Sequence, residues 1–244
     1  MHSFFFGSSK KKLYGSIMAA KSHALGALIC NSWGPEYQAS HRFLRVLSNK
    51  LAQEGISAMR FDYYGSGDSY GSTRELNIES MIEDTLNAEE EFRETWQPVD
   101  ICLIGYRLGA LPALHAGVEL NLPVVLVEPV TDCKQWFINL IDTAKGDVEA
   151  GDACMELSGY CMSAEMKEAL MADRTALIGQ IHREHVTAVI ASSDLAKDSG
   201  LSEKCLVFPG EPTWLLDADG AWAGAIPAKL IESVVKIVHN CVQS

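Results

Sequence analysis

The stretch Asp100-Ile-Cys-Leu-Ile-Gly-Tyr-Arg-Leu-Gly-Ala110 decides the fold. The apolar residues Ile101 to Ile104, with Val99 before them, run into Gly105 and Gly109, and a helix-forming segment from Leu108 to Leu120 follows, so the pattern reads as buried strand, sharp turn, helix. Two glycines flanking one central position make the frame of a nucleophile elbow, Gly-x-Ser-x-Gly, in which a strained residue stands above the end of a sheet. The central position here is Arg107. A guanidinium stays protonated and has no lone pair to offer a carbonyl carbon. The scaffold of the elbow is retained without its nucleophile.

Working outward, strands are expected over Leu13 to Ala19, Ala24 to Asn31, Ile56 to Tyr63, the elbow strand, and Pro123 to Pro129. Helices are expected between them: one capped by Ser40 with Phe43, Leu47 and Leu51 on a stripe, and one from about Asn77 to Thr95. In the second, Ile78, Ile82 and Leu86 face in, and Glu79, Glu83, Glu89 and Glu90 face out. Strand and helix alternate from residue 24 to 129, which implies a doubly wound, mostly parallel α/β sheet with helices on both faces. From Thr131 to about Glu184 the pattern turns polar and helical, interrupted by Gly146, Gly151 and Gly159. Residues 1–130 and 186–244 are therefore expected to form the core, and 131–185 an inserted helical cap. Further strands are expected over Val186 to Ala191 and Lys204 to Phe208, then a last helix from Pro227 that buries Leu230, Ile231, Val234 and Val238.

With 244 residues the chain can bury one sizeable core. Its net charge of -12 repels phosphate backbones, so nucleic acid is not an expected partner. No apolar run reaches the roughly 20 residues of a membrane span. The 7 cysteines include no C-x-x-C pair, and several fall inside apolar runs, so they read as buried thiols without a disulfide framework, in a reducing cytoplasm. Gly65-Ser66-Gly67 lacks the third glycine of a dinucleotide loop, because position 70 is Tyr70. His182 and His185 have no third ligand nearby, so neither a metal nor a cofactor is expected.

Arg60-Phe-Asp-Tyr-Tyr-Gly-Ser-Gly-Asp-Ser69, Gly105-Tyr-Arg-Leu-Gly109, the cap and Asp194 after a late strand together resemble the α/β-hydrolase superfamily over nearly the whole chain. The short motifs Phe4-Phe-Phe-Gly7, Leu13-Tyr-Gly15, Cys30-Asn31, Glu36-Tyr37, Ser40-His-Arg42 and the arginine-bearing elbow resemble its exosortase-system-associated branch. That resemblance implies a triad of which only the acid, Asp194, has a counterpart. The matching histidine loop, residues 215–224, contains no histidine, and Trp222 or Ala221 stands in the matching place.

Arg107 in a cleft needs an acidic neighbour, and Asp62, Glu36 and Asp194 are the candidates. It serves either as a structural ion pair or as a clamp for a substrate oxygen. Glu36 and His41 flank the loop that the resemblance assigns to the oxyanion hole, so each is a candidate base. Trp33, Tyr37, Tyr64, Tyr106 and Trp222 are candidate substrate-binding residues. Three functions follow. The first is an enzyme, leaning to lyase-type elimination, acting on an acylated ester or thioester small molecule that is either unattached or carrier-bound. The second is a pseudo-hydrolase that binds an acyl ligand or partner protein. The third is a hydrolase whose nucleophile has moved to a cysteine or serine elsewhere, with Cys30 and Cys161 as the cysteine candidates, while Ser66 and Ser69 suit a turn and show no neighbouring base. A homodimer is compatible with each.

Overall fold

The computed structural model describes residues 1–21, 24–143, 148–150, 154–172, 186–192, 205–208 and 228–241. Eight strands form the main sheet in the order β1 (His2–Gly7), β2 (Lys12–Met18), β4 (Ile56–Phe61), β3 (Leu25–Cys30), β5 (Asp100–Tyr106), β6 (Val124–Val127), β10 (Val186–Ser192) and β11 (Cys205–Phe208). The pairs β1–β2 and β2–β4 are antiparallel. Every other pair is parallel. Strands β3 and β6 are apolar from end to end, and β5 is apolar after Asp100, as strands covered on both faces must be.

Two core clusters lie on the two faces. One joins the sheet to α2 (Ile78–Trp96), α3 (Ala110–Leu120) and α4 (Cys133–Thr143) through Met81, Phe92, Leu111, Leu114 and Phe137. The other joins it to α1 (Pro35–Gln53) and the last helix, α6 (Ala228–Cys241), through Phe43, Leu47, Leu51, Leu230 and Val234. In α6 the expected stripe of Leu230, Ile231, Val234 and Val238 is buried, and Val235 joins it. Each such side chain contributes about 1.5–3 kcal/mol of transfer free energy.

Several details depart from the sequence reading. Strand β1 was not expected, because three consecutive phenylalanines hide the alternation in which Phe6 is buried and Phe5 is exposed. Helix α1 begins at Pro35, not beside Ser40: Gly34 takes a left-handed φ of 67° and Pro35 starts the first turn. On α2 the deeply buried stripe is Ile78, Met81, Thr85, Ala88 and Phe92, with Ile82 and Leu86 at its margin. Glu89 is also buried, held there by Arg93.

The inserted segment is not purely helical. It contains α4, a three-stranded antiparallel sheet of β7 (Val148–Ala150), β8 (Cys154–Leu157) and β9 (Tyr160–Ser163), and α5 (Ala164–Met171). Its Leu157, Met162, Met166 and Leu170 belong to the same apolar cluster as α2 and α3, so its core is continuous with that of the sheet. Among the described residues no helix is long and apolar enough to cross a membrane.

Candidate functional site

The site is built where β3, β5 and β6 end side by side. At the end of β5, Tyr106 is extended and Arg107 turns to a left-handed φ of 52°, after which a single 3-10 turn leads into α3. A non-glycine residue in that region costs on the order of 1 kcal/mol and persists only where its surroundings enforce it. The glycines of the elbow are there for contact. A Cβ on Gly105 would lie 2.7 Å from Ala110 Cα, and one on Gly109 would lie 2.3 Å from the Cys30 carbonyl oxygen. The backbone following β3 therefore passes directly against the elbow.

Arg107 is buried, and its guanidinium is fully engaged in the interior. Its Nη2 donates to Glu36 Oε1 at 2.7 Å and its Nε to both carboxylate oxygens at 3.1 and 3.2 Å. Its Nη1 donates to the Glu128 carbonyl at 3.2 Å, and its own carbonyl accepts from the Val130 amide at 3.3 Å. Of the three expected partners for this cation, Glu36 is the one that holds it. Glu36 reaches the elbow because α1 starts early enough to place position 36 in its first turn. There the carboxylate also faces the positive end of the helix dipole.

Two further donors complete the carboxylate. Ser32 Oγ donates to Oε2 at 2.8 Å, and the Trp136 indole Nε1 donates to Oε1 at 2.9 Å. Burial alone would lower the guanidinium pKa, but the adjoining Glu36 carboxylate outweighs it and holds the pKa above the ordinary value. A buried ion pair of this kind persists only when its remaining hydrogen-bonding capacity is met. Ser32, Trp136 and the Glu128 carbonyl meet it here.

The other expected residues are placed as follows. Trp33 is buried, with its ring 6.1 Å and edge-on from Tyr160 in the inserted segment. Tyr37 turns its hydroxyl to Asp62, donating to Oδ1 at 2.9 Å, while the Asp68 amide donates to the other oxygen at 3.0 Å. Burial raises the pKa of both Tyr37 and Asp62. His41 is exposed on α1, its ring 6.4 Å from that of Tyr37. Tyr106 is a core residue packed on Phe43 at 5.4 Å, on the α1 face of the sheet, and does not line a cleft. Tyr64 lies under Lys11 and against Gly71. Asp194, Trp222 and the rest of residues 215–224 lie outside the described residues.

The relocated-nucleophile reading loses its cysteines. The Cys30 thiol is fully buried, and burial pushes its pKa up to about 12, which removes the thiolate at neutral pH. Cys161 is disulfide-bonded, which also departs from the expectation of reduced thiols throughout. Ser69 is committed to the loop, donating to the Asp62 carbonyl and accepting from the Tyr14 amide. Ser66 is buried. Sequence reasoning passed over Ser32, Glu128 and Trp136.

No family model matches the chain, and no curated protein matches it. Solved structures do. Est1E from Butyrivibrio proteoclasticus superposes with a TM-score of 0.71 at 12% identity, covering 99% of each chain. DcsB, solved with a substrate analogue, gives 0.67 at 12% identity over 100% of this chain and 99% of its own. The mouse α/β hydrolase domain-containing protein 10 gives 0.59 at 13% identity over 100% and 99%. At such identities the likeness is one of fold, and it agrees with the strand order and the elbow: the chain has the α/β-hydrolase fold, with an arginine at the apex of its elbow.

Proposed function

We propose that this protein is a pseudo-hydrolase, an α/β-hydrolase-fold protein that binds a neutral acyl-type small molecule and does not pass through an acyl-serine. The observation carrying the reading is the closure of the Arg107 guanidinium on Glu36 at the position where a nucleophile would stand. An arginine cannot be acylated and released as a serine is. A carboxylate already accepting from Arg107, Ser32 and Trp136 is a poor candidate to abstract a substrate proton. The elimination chemistry expected from the sequence needs Arg107 to face a ligand together with Glu36 or His41 as base, and Arg107 and Glu36 are committed to each other.

The ligand class follows from charge. The Arg107–Glu36 pair is neutral as a unit, so a free carboxylate would have to displace Glu36, whereas an ester, thioester or amide would not. The aromatic surroundings of Trp33, Trp136 and Tyr160 suit an apolar acyl group. Est1E, a neighbour of this fold, has been solved with ferulic acid, whose ring supports an aromatic-accepting pocket, although its free carboxylate differs from the neutral ligand proposed here. The resemblance of the short motifs to the exosortase-system-associated branch supports a biosynthetic setting for this reading. Delivery of the acyl group by a carrier and assembly as a homodimer fit the same proposal.

The test is a binding and turnover comparison on one acyl series, with methyl ester, thioester and free acid matched in chain length. The expected result is a thermal shift with ester and thioester, a weaker one with the acid, and no consumption of any of them. Consumption of an ester that Arg107→Ala abolishes would reinstate the elimination enzyme and overturn the proposal.

A further inference from the structure

Strand β1 is an edge of the main sheet: it pairs with β2 on one side, and among the described residues no strand pairs with the other. Which of its backbone groups face outward follows from β2. The Tyr14 amide donates to Ser69 Oγ at 2.8 Å, the Tyr14 carbonyl accepts from the Asp62 amide at 3.0 Å, and the Lys12 carbonyl accepts from the Tyr70 amide at 2.9 Å, all on the β4 side of β2. Alternate residues of an antiparallel strand send their amides and carbonyls to alternate sides, so Leu13, Gly15 and Ile17 bond to their partners Phe6, Phe4 and His2. In β1 the amides and carbonyls of Ser3, Phe5 and Gly7 therefore point away from the sheet.

An edge of this kind is ordinarily blunted by lysine, proline, a bulge or a covering element. The strand His2-Ser-Phe-Phe-Phe-Gly7 holds no lysine, acid or proline, and its register with β2 runs from end to end without a bulge. Its side chains add a second signal. Phe5 is 50% exposed, against 5% for Phe6. The Phe5 ring lies edge-on to Tyr14 at 5.6 Å and to Tyr70 at 5.8 Å, and Tyr70 is itself 51% exposed. An open aromatic patch thus borders the same rim that carries the outward backbone groups.

We propose that β1 is a self-association edge, to which a second copy of this chain adds its own β1 antiparallel, about a two-fold axis beside Phe5. Residues opposite one another in an antiparallel pair lie on the same face, so the axis must fall at a residue and not between two. At Phe5, the ring meets the partner's Phe5, both backbones exchange their outward bonds, and Ser3 stands opposite the partner's Gly7. An axis at Phe4 would instead set the exposed ring against a serine and forgo the aromatic cross-strand pair. The occupant is a second copy because the edge is its own complement in this sense: donors meet acceptors and rings meet rings. Each chain uses β1 once, so the contact closes as a dimer. Strands β2, β4 and β3 separate β1 from the elbow strand, so the inference is independent of the ligand read for the Arg107 site.

One short strand from each copy is an interface at the low end of specific sizes, so the dimer is concentration-dependent. Sedimentation velocity of the full chain over roughly 5–500 µM should show a monomer–dimer equilibrium. Each copy carries a net charge of -12, so the buffer holds physiological salt, which screens charge beyond about 8 Å. Hydrogen exchange at the Phe5 amide should slow as concentration rises, whereas the Phe4 amide, bonded to β2, should be protected throughout. Ser3→Pro removes an outward N–H without touching a bond to β2, and Phe5→Lys sets a charge against its own mate. Both should keep the monomer's melting temperature at low concentration and weaken dimerisation by at least about tenfold. Leu206→Lys, on the exposed strand β11 at the opposite edge, should leave the dimer intact. A monomer at every concentration overturns the proposal, and so does a dimer that survives both β1 variants or that Leu206→Lys dissolves.

Discussion

The Glu36 carboxylate and the Arg107 guanidinium, 71 residues apart in the chain, meet as a buried salt bridge with an Oε1–Nη2 distance of 2.7 Å. The acid comes from the first turn of a helix and the base from the apex of a turn between a strand and a helix. Neither position is free to move, because Gly34 sets the start of α1 and Gly109 lies against the Cys30 carbonyl.

Removing one partner should therefore cost far more than removing both. Arg107→Met leaves an unpaired buried carboxylate and should destabilise the protein by about 3–5 kcal/mol, as should Glu36→Leu with the charge reversed. The double variant should recover much of that loss. Urea denaturation of the four proteins closes the cycle, and additive losses would show that the two groups do not depend on each other.

Trp136 joins the inserted segment to this pair through one hydrogen bond to a charged acceptor. Trp136→Phe keeps the ring and removes the donor, so it should cost about 1.5–3 kcal/mol. Placed on an Arg107→Met, Glu36→Leu background, the same change should cost clearly less. An equal cost on both backgrounds would assign the effect to packing alone.

Gly109→Ala probes the elbow backbone. Its Cβ would meet the Cys30 and Asn31 carbonyl oxygens at 2.3 and 2.4 Å, both on fixed backbone. A loss of at least about 1–3 kcal/mol is expected, the range for overpacking. Gly159 has open space around it, although its φ of 84° makes alanine there strained in its own right.

Alkaline pH should weaken the fold before the arginines titrate. Burial raises the Cys30 and Cys133 thiols to about 12 from 9.0. A folded-state pKa above the unfolded one gives a contribution that is whole below the unfolded value and is lost as pH rises through the folded value. Stability should thus decline between pH 9 and about 12, at up to roughly 1.4 kcal/mol per pH unit for each thiol. Denaturation midpoints of Cys30→Ala against wild type over that window test this, and the variant should show the shallower decline.

The alternation of strand and helix, the elbow and the stripe of α6 were all readable because each is a local periodicity bounded by glycine or proline. Helix α1 was misplaced at its start because Ser40 has the chemistry of a cap, yet its hydroxyl donates to the Asn31 side chain from inside the helix. The three-stranded sheet of the inserted segment was missed because its strands are only 3 or 4 residues long, too short to show a period. At the site, the need of Arg107 for an acid was legible, and Glu36 was one of three named candidates. The Trp136 contact spans 100 residues, and nothing local in the chain announces it.

The most direct test of the central claim is intact-mass analysis after incubation with a fluorophosphonate probe and, separately, with an activated acyl ester. The account predicts an unchanged mass for wild type and for Arg107→Ser alike, since residues 215–224 include no histidine in either. A stoichiometric adduct on any serine of the wild-type protein would contradict it.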